Sequence, residues 1–387
     1  MHDVAHKGRV SGFALPAVMV ISVLVMTVTA MALSMLTMDS RVYREYHRNR
    51  QRMIDLESAL VVYSYDSGIF SGADTAVLKA HSGSGDDVSL VRKDWGLYEC
   101  VSAHDGYGNS VTRLYGKVTE SPEAAAFWIC DRNRALTLAA GAGIYGTAYI
   151  PPNGVNYSGD IQDMHLIPDG MARVSLPEMP PLDSSYHVRF RRMFGVCTET
   201  VQGDSVFMLD RMSVLHGDEV CISGESVIHD AVICARKVTV RDGFRGSMQI
   251  FCTDSVCLEP GVRLEWPSGI CVASESGFPN VVLGDGCRID GYVVVTGAGP
   301  DYELIFPGYV QRQGAVLNGL LYADCSCEIE GDIAGAAYVR DCCHREDGVK
   351  YPGTVASARI TRDGRLAFPI LMEGSYARKA IKNMNKK

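Results

Sequence analysis

The chain of 387 residues contains 13 cysteines but no CxxC pair. This absence excludes the common zinc-binding and thioredoxin patterns, which need two cysteines at that spacing. The P-loop, HExxH and GxSxG motifs are also missing, so the usual sequence signals for nucleotide, metalloprotease and serine-hydrolase chemistry are absent. The net charge is −8, and no basic stripe interleaved with aromatic residues occurs. We therefore expect no nucleic-acid partner.

One glycine-rich stretch, GAGIYG at residues 141–146, matches the GxGxxG dinucleotide pattern. That pattern requires a following helix whose N-terminus meets the pyrophosphate. The stretch that follows, TAYIPPNGVNYSG, contains two prolines and two further glycines and cannot form that helix. The match is a chance one, and the sequence predicts no cofactor and no small-molecule substrate.

The longest apolar run covers residues 13–38 and contains no charged residue. As a helix it would be about 39 Å long, enough to cross a bilayer core of roughly 30 Å. A secretory signal peptide has a shorter apolar region of about 7–15 residues before its cleavage site. The run therefore predicts a helix that stays in the membrane as a single-pass anchor.

The start of this run has a distinctive order of residues. Lys7 and Arg9 form a short basic leader, Gly12 follows, and Phe13 opens the apolar helix. This arrangement resembles the N-terminus of type IV pilins and pseudopilins over about residues 7–65. The resemblance implies cleavage between Gly12 and Phe13, a bacterial inner-membrane location, and partner subunits that pack along the helix. The family usually has glutamate at the fifth mature position, where this chain has Ala17, and this suggests a minor or tip subunit.

The charges around the run support a different topology. Five arginines follow it, whereas Lys7 and Arg9 precede it, and cytoplasmic flanks normally carry the Lys/Arg excess. The charge count alone would leave the body in the cytoplasm. The pilin resemblance implies a periplasmic or extracellular body, and we adopt that prediction; an uncleaved anchor remains the alternative.

The helix is predicted to continue beyond the membrane. Apolar residues and one asparagine recur at steps of three and four, which is a helical period. They are Val42, Tyr46, Asn49, Met53, Leu56, Leu60 and Tyr63. This stripe would pack either along partner helices or onto the β-rich body of the same chain.

The rest of the chain predicts a mainly β body. Residues 67–93 suggest a loop or linker, residues 95–118 a β-hairpin around a glycine-rich turn, and residues 175–186 a proline-rich surface loop. The predicted segments are a leader (1–12), a transmembrane and stalk helix (13–66), a linker and hairpin region (67–120), an irregular β region (121–200), a β-solenoid (201–345) and a C-terminal extension with a basic tail (346–387).

A loose repeat supports the predicted solenoid. VTVRDGFRGS (238–247), VCLEPGVRLE (256–265) and VVLGDGCRID (281–290) align without gaps, and VCISG (220–224) and CEIEGDIAG (327–335) are further copies. Short strands ended by glycine at this spacing are typical of parallel coils whose stacked rungs share one core. The body is similar to bactofilin-like, polymer-forming β-helix proteins, and residues 281–291 also resemble one turn of the hexapeptide-repeat acyltransferases.

Cysteines fall largely within these strand segments. Among apolar neighbours a thiol packs as a small core side chain, and we predict that role for Cys234, Cys252, Cys257, Cys271, Cys287 and Cys327. Disulfides and metal binding are the alternatives. A second cluster combines Cys325, Cys327, Cys342 and Cys343 with His344.

No nucleophile pattern surrounds His216 or His229, so no catalytic, cofactor or metal residue is predicted. Asp204, Asp210, Asp218 and Asp230 could form the carboxylate row of a β-helix enzyme, but they are better explained as solvated turn residues. The basic C-terminus, with Arg378, Lys379, Lys382, Lys386 and Lys387, is predicted to be a frayed tail.

These observations predict a non-enzymatic, membrane-anchored envelope protein, a minor pilin or pseudopilin-like subunit of a type IV pilus or type II secretion-like assembly. Gly12 and Phe13 are the predicted processing residues. Two alternatives remain, namely a membrane-tethered β-helix carbohydrate-active enzyme or binding module, and a cytoplasmic, bactofilin-like scaffold.

Overall fold

The fold combines one long helix, a short helix and many strands. The structure, a computed structural model of the chain, describes residues 14–66, 68–70, 72–79, 87–119, 124–159, 167–168, 170–195, 199–200, 203–209, 213–299, 306–369 and 376–384. The helices are α1 (Ala14–Tyr65) and α2 (Ser185–Gly195).

Strands make up most of the remaining described chain, as the sequence predicts. The first ten are β1 (Thr75–Lys79), β2 (Asp87–Trp95), β3 (Tyr98–His104), β4 (Ser110–Val118), β5 (Phe127–Ile129), β6 (Leu136–Ala139), β7 (Gly143–Tyr145), β8 (Ala148–Ile150), β9 (Val155–Ser158) and β10 (Ala172–Val174). The next eight are β11 (Glu199–Thr200), β12 (Gly203–Ser205), β13 (Met208–Leu209), β14 (Val214–Ile222), β15 (Val227–Val240), β16 (Arg245–Leu258), β17 (Arg263–Ala273) and β18 (Asn280–Leu283). The last eight are β19 (Arg288–Thr296), β20 (Tyr309–Gln311), β21 (Val316–Ile329), β22 (Asp332–Glu346), β23 (Val349–Pro352), β24 (Thr354–Ala356), β25 (Arg359–Thr361) and β26 (Ala377–Asn383).

The predicted repeats lie side by side in a parallel sheet that closes on itself. Val238 pairs with Val256, and Val256 pairs with Val281, so the first residues of the three gap-free repeats are neighbours. Their eighth residues, Arg245, Arg263 and Arg288, are neighbours in the same way. The further copies at 220–224 and 327–335 also join this sheet through β14, β21 and β22. The repeat alignment is therefore confirmed.

Columns of apolar side chains fill the interior of this parallel body. One column runs through successive strand pairs and contains Leu264, Ile289, Leu317, Ile333, Ile360 and Ile144. All six are buried in one continuous core. Because each strand shares its inner face with the next, the core is continuous along the stack.

The stack does not follow chain order at its far end. After β22, the next strands are β25 and β5, which pair with β22 in parallel. Strands β7 and β8 then pair with β25 and β5, and β10 pairs with β8. The segment predicted as an irregular β region therefore completes the parallel body, together with strands from the C-terminal extension.

A second sheet is antiparallel and has the order β1-β2-β3-β4-β26. The predicted hairpin forms its centre, where β3 pairs with β4. Two predictions are wrong here. The segment predicted as a loop or linker contains β1 and most of β2, and the predicted frayed tail forms β26, which pairs with β4. Lys386 and Lys387 lie outside the described residues.

Each face of the antiparallel sheet has its own core. One face packs against the end of α1 through Leu56, Leu60 and Tyr63. The other face packs against α2 and the outside of the parallel body. Helix α2 was not predicted, although its buried residues Tyr186, Phe190 and Met193 have helical spacing.

A buried amide connects the antiparallel sheet to the parallel body. The Gln249 side chain accepts hydrogen bonds from the Leu97 amide at 3.0 Å and from the Tyr292 hydroxyl at 2.6 Å. Its Nε2 donates to the Trp95 carbonyl at 3.0 Å. Since Gln249 is fully buried, these three bonds satisfy a group that would otherwise destabilise the fold.

A column of glycines marks one corner of the parallel body. Gly291 pairs with Gly319, and Gly319 pairs with Gly335. A Cβ at Gly319 would overlap the carbonyl oxygen of Gly291 on the neighbouring strand. Only glycine allows the strands to approach this closely.

We expect Gly319→Ala to lower the free energy of unfolding by about 3 kcal/mol or more, because backbone atoms cannot move aside cheaply. Denaturant unfolding of the full chain in detergent, followed by circular dichroism, measures the change. Gly364→Ala is the matched control, since a Cβ there meets no atom within 4 Å, and it should change the value by less than about 0.5 kcal/mol. Equal effects of the two substitutions would contradict the close-packing argument.

Candidate functional site

The exposed length of α1 is the largest apolar surface that the structure describes. The helix has 52 residues, and its large apolar side chains from Leu15 to Met38 are all more than half exposed. Leu15 is 74% exposed and Val25, in the middle of the run, 54%. An apolar surface of this size marks a membrane or protein contact.

Polar side chains within this apolar run bond to their own helix. The hydroxyls of Thr27, Thr29 and Thr37 donate to carbonyl oxygens three or four residues earlier, each at 2.8 Å. In a bilayer, where water cannot pair with polar groups, such internal bonds are required. By length and composition α1 is a candidate membrane span.

Between the apolar run and the body, the helix surface is polar. Arg41, Arg44, Arg48 and Arg50 are exposed. Val42 and Tyr46, the first residues of the predicted stripe, are 59% and 62% exposed. The first contact with the body is made by Arg52, whose guanidinium lies 3.4 Å from the centre of the Tyr107 ring.

The stripe was predicted to pack either along partner helices or onto the chain's own body, and its two ends differ in this respect. Leu56, Leu60 and Tyr63 are buried against the antiparallel sheet, and the Tyr115 hydroxyl donates to the Leu60 carbonyl at 2.9 Å. The stripe therefore packs onto the chain's own body at its end. Its earlier residues, Val42 and Tyr46, remain available to a partner.

Four elements meet at the carboxylate of Glu99, on β3. Tyr63 of α1 donates to Oε2 at 2.6 Å, Arg189 of α2 donates to Oε1 at 3.0 Å, and Arg378 of β26 donates to Oε2 at 3.3 Å. Burial alone would raise the pKa of Glu99. The Tyr63 hydrogen bond and the nearby charges of Arg189, Arg378 and Lys117 outweigh burial and lower the pKa to about 2.

We call the contacts of Glu99 with Tyr63, Arg189 and Arg378 the joint. Two further ion pairs connect the same part of the molecule. Lys382 of β26 donates to Asp230 of the parallel body at 2.6 Å, and Asp230 is buried. Lys117 of β4 donates at 2.9 Å to Asp183, which also accepts from the Ser185 amide at the start of α2. These contacts thus fix the C-terminal end of α1 to the antiparallel sheet, to α2 and, through β26, to the parallel body.

The predicted processing residues, Gly12 and Phe13, lie outside the described residues. Ala17, at the position of the family's glutamate, lies in the first turns of α1 and is exposed. Cleavage and its consequences remain predictions.

The four aspartates considered for an enzyme have different surroundings. Asp218 is exposed and binds Arg236, with 2.8 Å between Oδ1 and Nε. Asp230 is buried and pairs with Lys382. Asp210 lies outside the described residues, as does the side chain of Asp204. The GAGIYG stretch forms β7 and is followed by β8, which agrees with a chance match to the dinucleotide pattern.

Most of the cysteines named above are core residues. Cys234, Cys252, Cys271, Cys287 and Cys327 are buried, whereas Cys257 is exposed. Burial raises the pKa of Cys271 to about 12 and that of Cys327 well above its usual range. The raised pKa values agree with thiols that pack as small core side chains.

A polar groove of about 440 Å³ crosses the outside of the parallel body. Its charged lining consists of Lys237, Asp254, Arg312, Glu328 and Arg345. Two phenylalanines, Phe278 and Phe306, line it as well, 53% and 59% exposed. The groove joins carboxylates, cations and aromatic rings on one surface.

Metal-ligating side chains converge near this groove. Within the described ranges, Glu328, Glu330 and His344 place their ligand atoms within 4.8 Å of one another. His344 belongs to the predicted cluster with Cys325, Cys327, Cys342 and Cys343, whereas the two glutamates were not predicted.

A comparison of the chain with protein-family models finds no match, and comparisons with curated proteins and with solved structures find none either.

We expect Glu99→Gln to destabilise the protein at pH 7 by about 3 kcal/mol, because it leaves Arg378 without its anion and Arg189 with only Asp94, at 3.5 Å. The folded-state pKa of Glu99 is about 2, below the unfolded value of about 4.3. Its contribution is therefore complete above about pH 4.3 and is lost as the pH falls towards 2. Denaturant unfolding of both proteins from pH 7 to pH 2.5 tests this.

The control is Glu57→Gln, which neutralises an exposed carboxylate 3.5 Å from Arg113. Being exposed, this pair should contribute less than about 0.5 kcal/mol. A difference between wild type and Glu99→Gln that stays constant from pH 7 to pH 2.5 would show that the charge of Glu99 is not the stabilising feature.

Proposed function

We propose that the protein is a non-enzymatic, membrane-anchored structural subunit of the bacterial envelope, a minor pilin or pseudopilin-like subunit of a type IV pilus or type II secretion-like assembly. The observation that carries the proposal is the continuity of α1. One unbroken helix presents an apolar surface over its first turns and is fixed to the body only at its end.

The geometry of α1 supports side-by-side assembly. Residues 15–51 precede the first body contact and are exposed, and as a helix they extend about 55 Å. Because lipid tails and apolar helices offer similar surroundings, such a segment can pass from a bilayer into a bundle of like helices. The inner membrane and other pilin-like subunits are the proposed partners, with the body in the periplasm or outside the cell.

We further propose that the parallel body is a β-solenoid. The in-register repeats and the continuous inner column support it. In this arrangement the body would project from the membrane as a stiff rod carried by α1.

We expect the protein isolated from its native membrane to begin at Phe13, as shown by intact mass and N-terminal sequencing.

We also expect a reporter cysteine in the helix, Val28→Cys, to cross-link to a neighbouring helix, because Val28 is 56% exposed. Mass spectrometry of the product identifies the partner subunit.

The matched control is Val227→Cys, which places the same substitution on the parallel body at a residue 46% exposed. It should give no cross-link. A chain beginning at Met1 with no Val28→Cys product would leave a plain anchor. Activity of a C-terminally fused reporter that works only in the cytoplasm would contradict the proposal and favour the cytoplasmic, bactofilin-like scaffold.

The polar groove favours a second candidate function, a membrane-tethered carbohydrate-binding module. Sugar rings stack on aromatic side chains and bond to charged groups, and the groove offers Phe306 beside Arg345, whose guanidinium is 5.6 Å from the ring centre.

We expect Phe306→Ala to weaken retention on envelope polysaccharide at least fivefold in affinity electrophoresis if this candidate is correct. The control is Tyr157→Ala, which removes another exposed aromatic ring, 51% exposed, that does not line the groove. Equal retention of wild type and Phe306→Ala would exclude the groove as the carbohydrate-binding site.

A further inference from the structure

We propose that Glu328, Glu330 and His344 bind a divalent transition-metal ion of the zinc type on the outside of the parallel body. Their ligand atoms lie within 4.8 Å of one another. An imidazole nitrogen with carboxylate oxygens is a donor set that suits zinc and related ions better than calcium or magnesium.

The register of two long strands brings the three residues together. Cys327 of β21 pairs with Cys342 of β22. Glu328 follows Cys327 on β21, Glu330 comes directly after that strand, and His344 comes two residues after Cys342. Neighbouring strands thus supply Glu328 and His344, and Glu330 follows directly after β21, which favours a preorganised site.

One ring nitrogen of His344 makes no hydrogen bond within the described chain. Its Nδ1 is buried and makes no hydrogen bond there, and it lies 3.6 Å from Oε1 of Glu330. The ring is held by Tyr351, which stacks on it at 6.4 Å between centres. A buried nitrogen of this kind costs free energy unless a proton donor, acceptor or metal satisfies it.

Glu328 adds a second, independent observation. Its side chain is only 4% exposed, and Nη1 of Arg312 lies 3.9 Å from its Oε1, beyond hydrogen-bond distance. A buried carboxylate needs a closer positive partner than this. A divalent ion between Glu328, Glu330 and His344 would supply that charge, and three protein ligands leave a coordination position for water or a bound group.

The test is titration of the full-length protein in detergent with zinc, after treatment with chelator, by isothermal calorimetry. We expect one ion per chain. We expect Glu330→Gln and His344→Gln each to weaken binding at least tenfold, as loss of one ligand does. His229→Gln removes an exposed histidine from the same body and should leave the affinity unchanged.

Cobalt(II) provides a readout that identifies the ligands. A nitrogen and oxygen site gives weak visible bands only, whereas cysteine ligation adds an intense near-ultraviolet charge-transfer band. The weak bands should disappear in Glu330→Gln. A charge-transfer band, an affinity equal in wild type and Glu330→Gln, or the absence of binding would each overturn the proposal. Circular dichroism of the metal-free variants verifies folding, and Glu330, 21% exposed, is the ligand least involved in the core.

Discussion

The buried carboxylate of Glu99 is the interaction on which the arrangement of the molecule depends. It accepts hydrogen bonds from α1, α2 and β26 while belonging to β3. Buried charges are tolerated only when their partners are all in place, and removing one leaves the others uncompensated. The joint therefore forms completely or not at all. Tyr63 also packs in the apolar contact between α1 and the antiparallel sheet, so the angle between the exposed helix and the body is set here.

The parallel body was the part most open to prediction, because its signal is local. Apolar residues at the first and third positions, followed by glycine, identify three copies whose register the structure confirms. One copy, at residues 309–318, was missed. Its third residue is Gln311, a polar side chain in the core, which is satisfied by Tyr309 and by the carbonyls of Ala315 and Asp332. These partners are evident only once the strands are paired.

The joint and the antiparallel sheet could not be predicted for a related reason. Arg378 and Glu99 are 279 residues apart in sequence, and Lys382 and Asp230 are 152 residues apart. A basic C-terminus looks like a solvated tail until its acidic partners are brought near. The exposed helix, by contrast, follows from its apolar residues alone. The group of Glu328, Glu330 and His344 could be predicted only in part. The two glutamates are close in sequence, but the position of His344 beside them depends on strand register.

The position of β26 has a consequence for biogenesis. The strand follows every other element of the joint in the sequence, yet it donates Arg378 to the joint that fixes the first helix to the body. A chain made only as far as β25 already contains Tyr63, Glu99 and Arg189 but cannot complete this joint. Contacts of such long sequence separation form late, after local structure. Such truncated chains would keep the contacts of Glu99 with Tyr63 and Arg189 but lack the one with Arg378. The joint around Glu99 is thus complete only once β26 has been made.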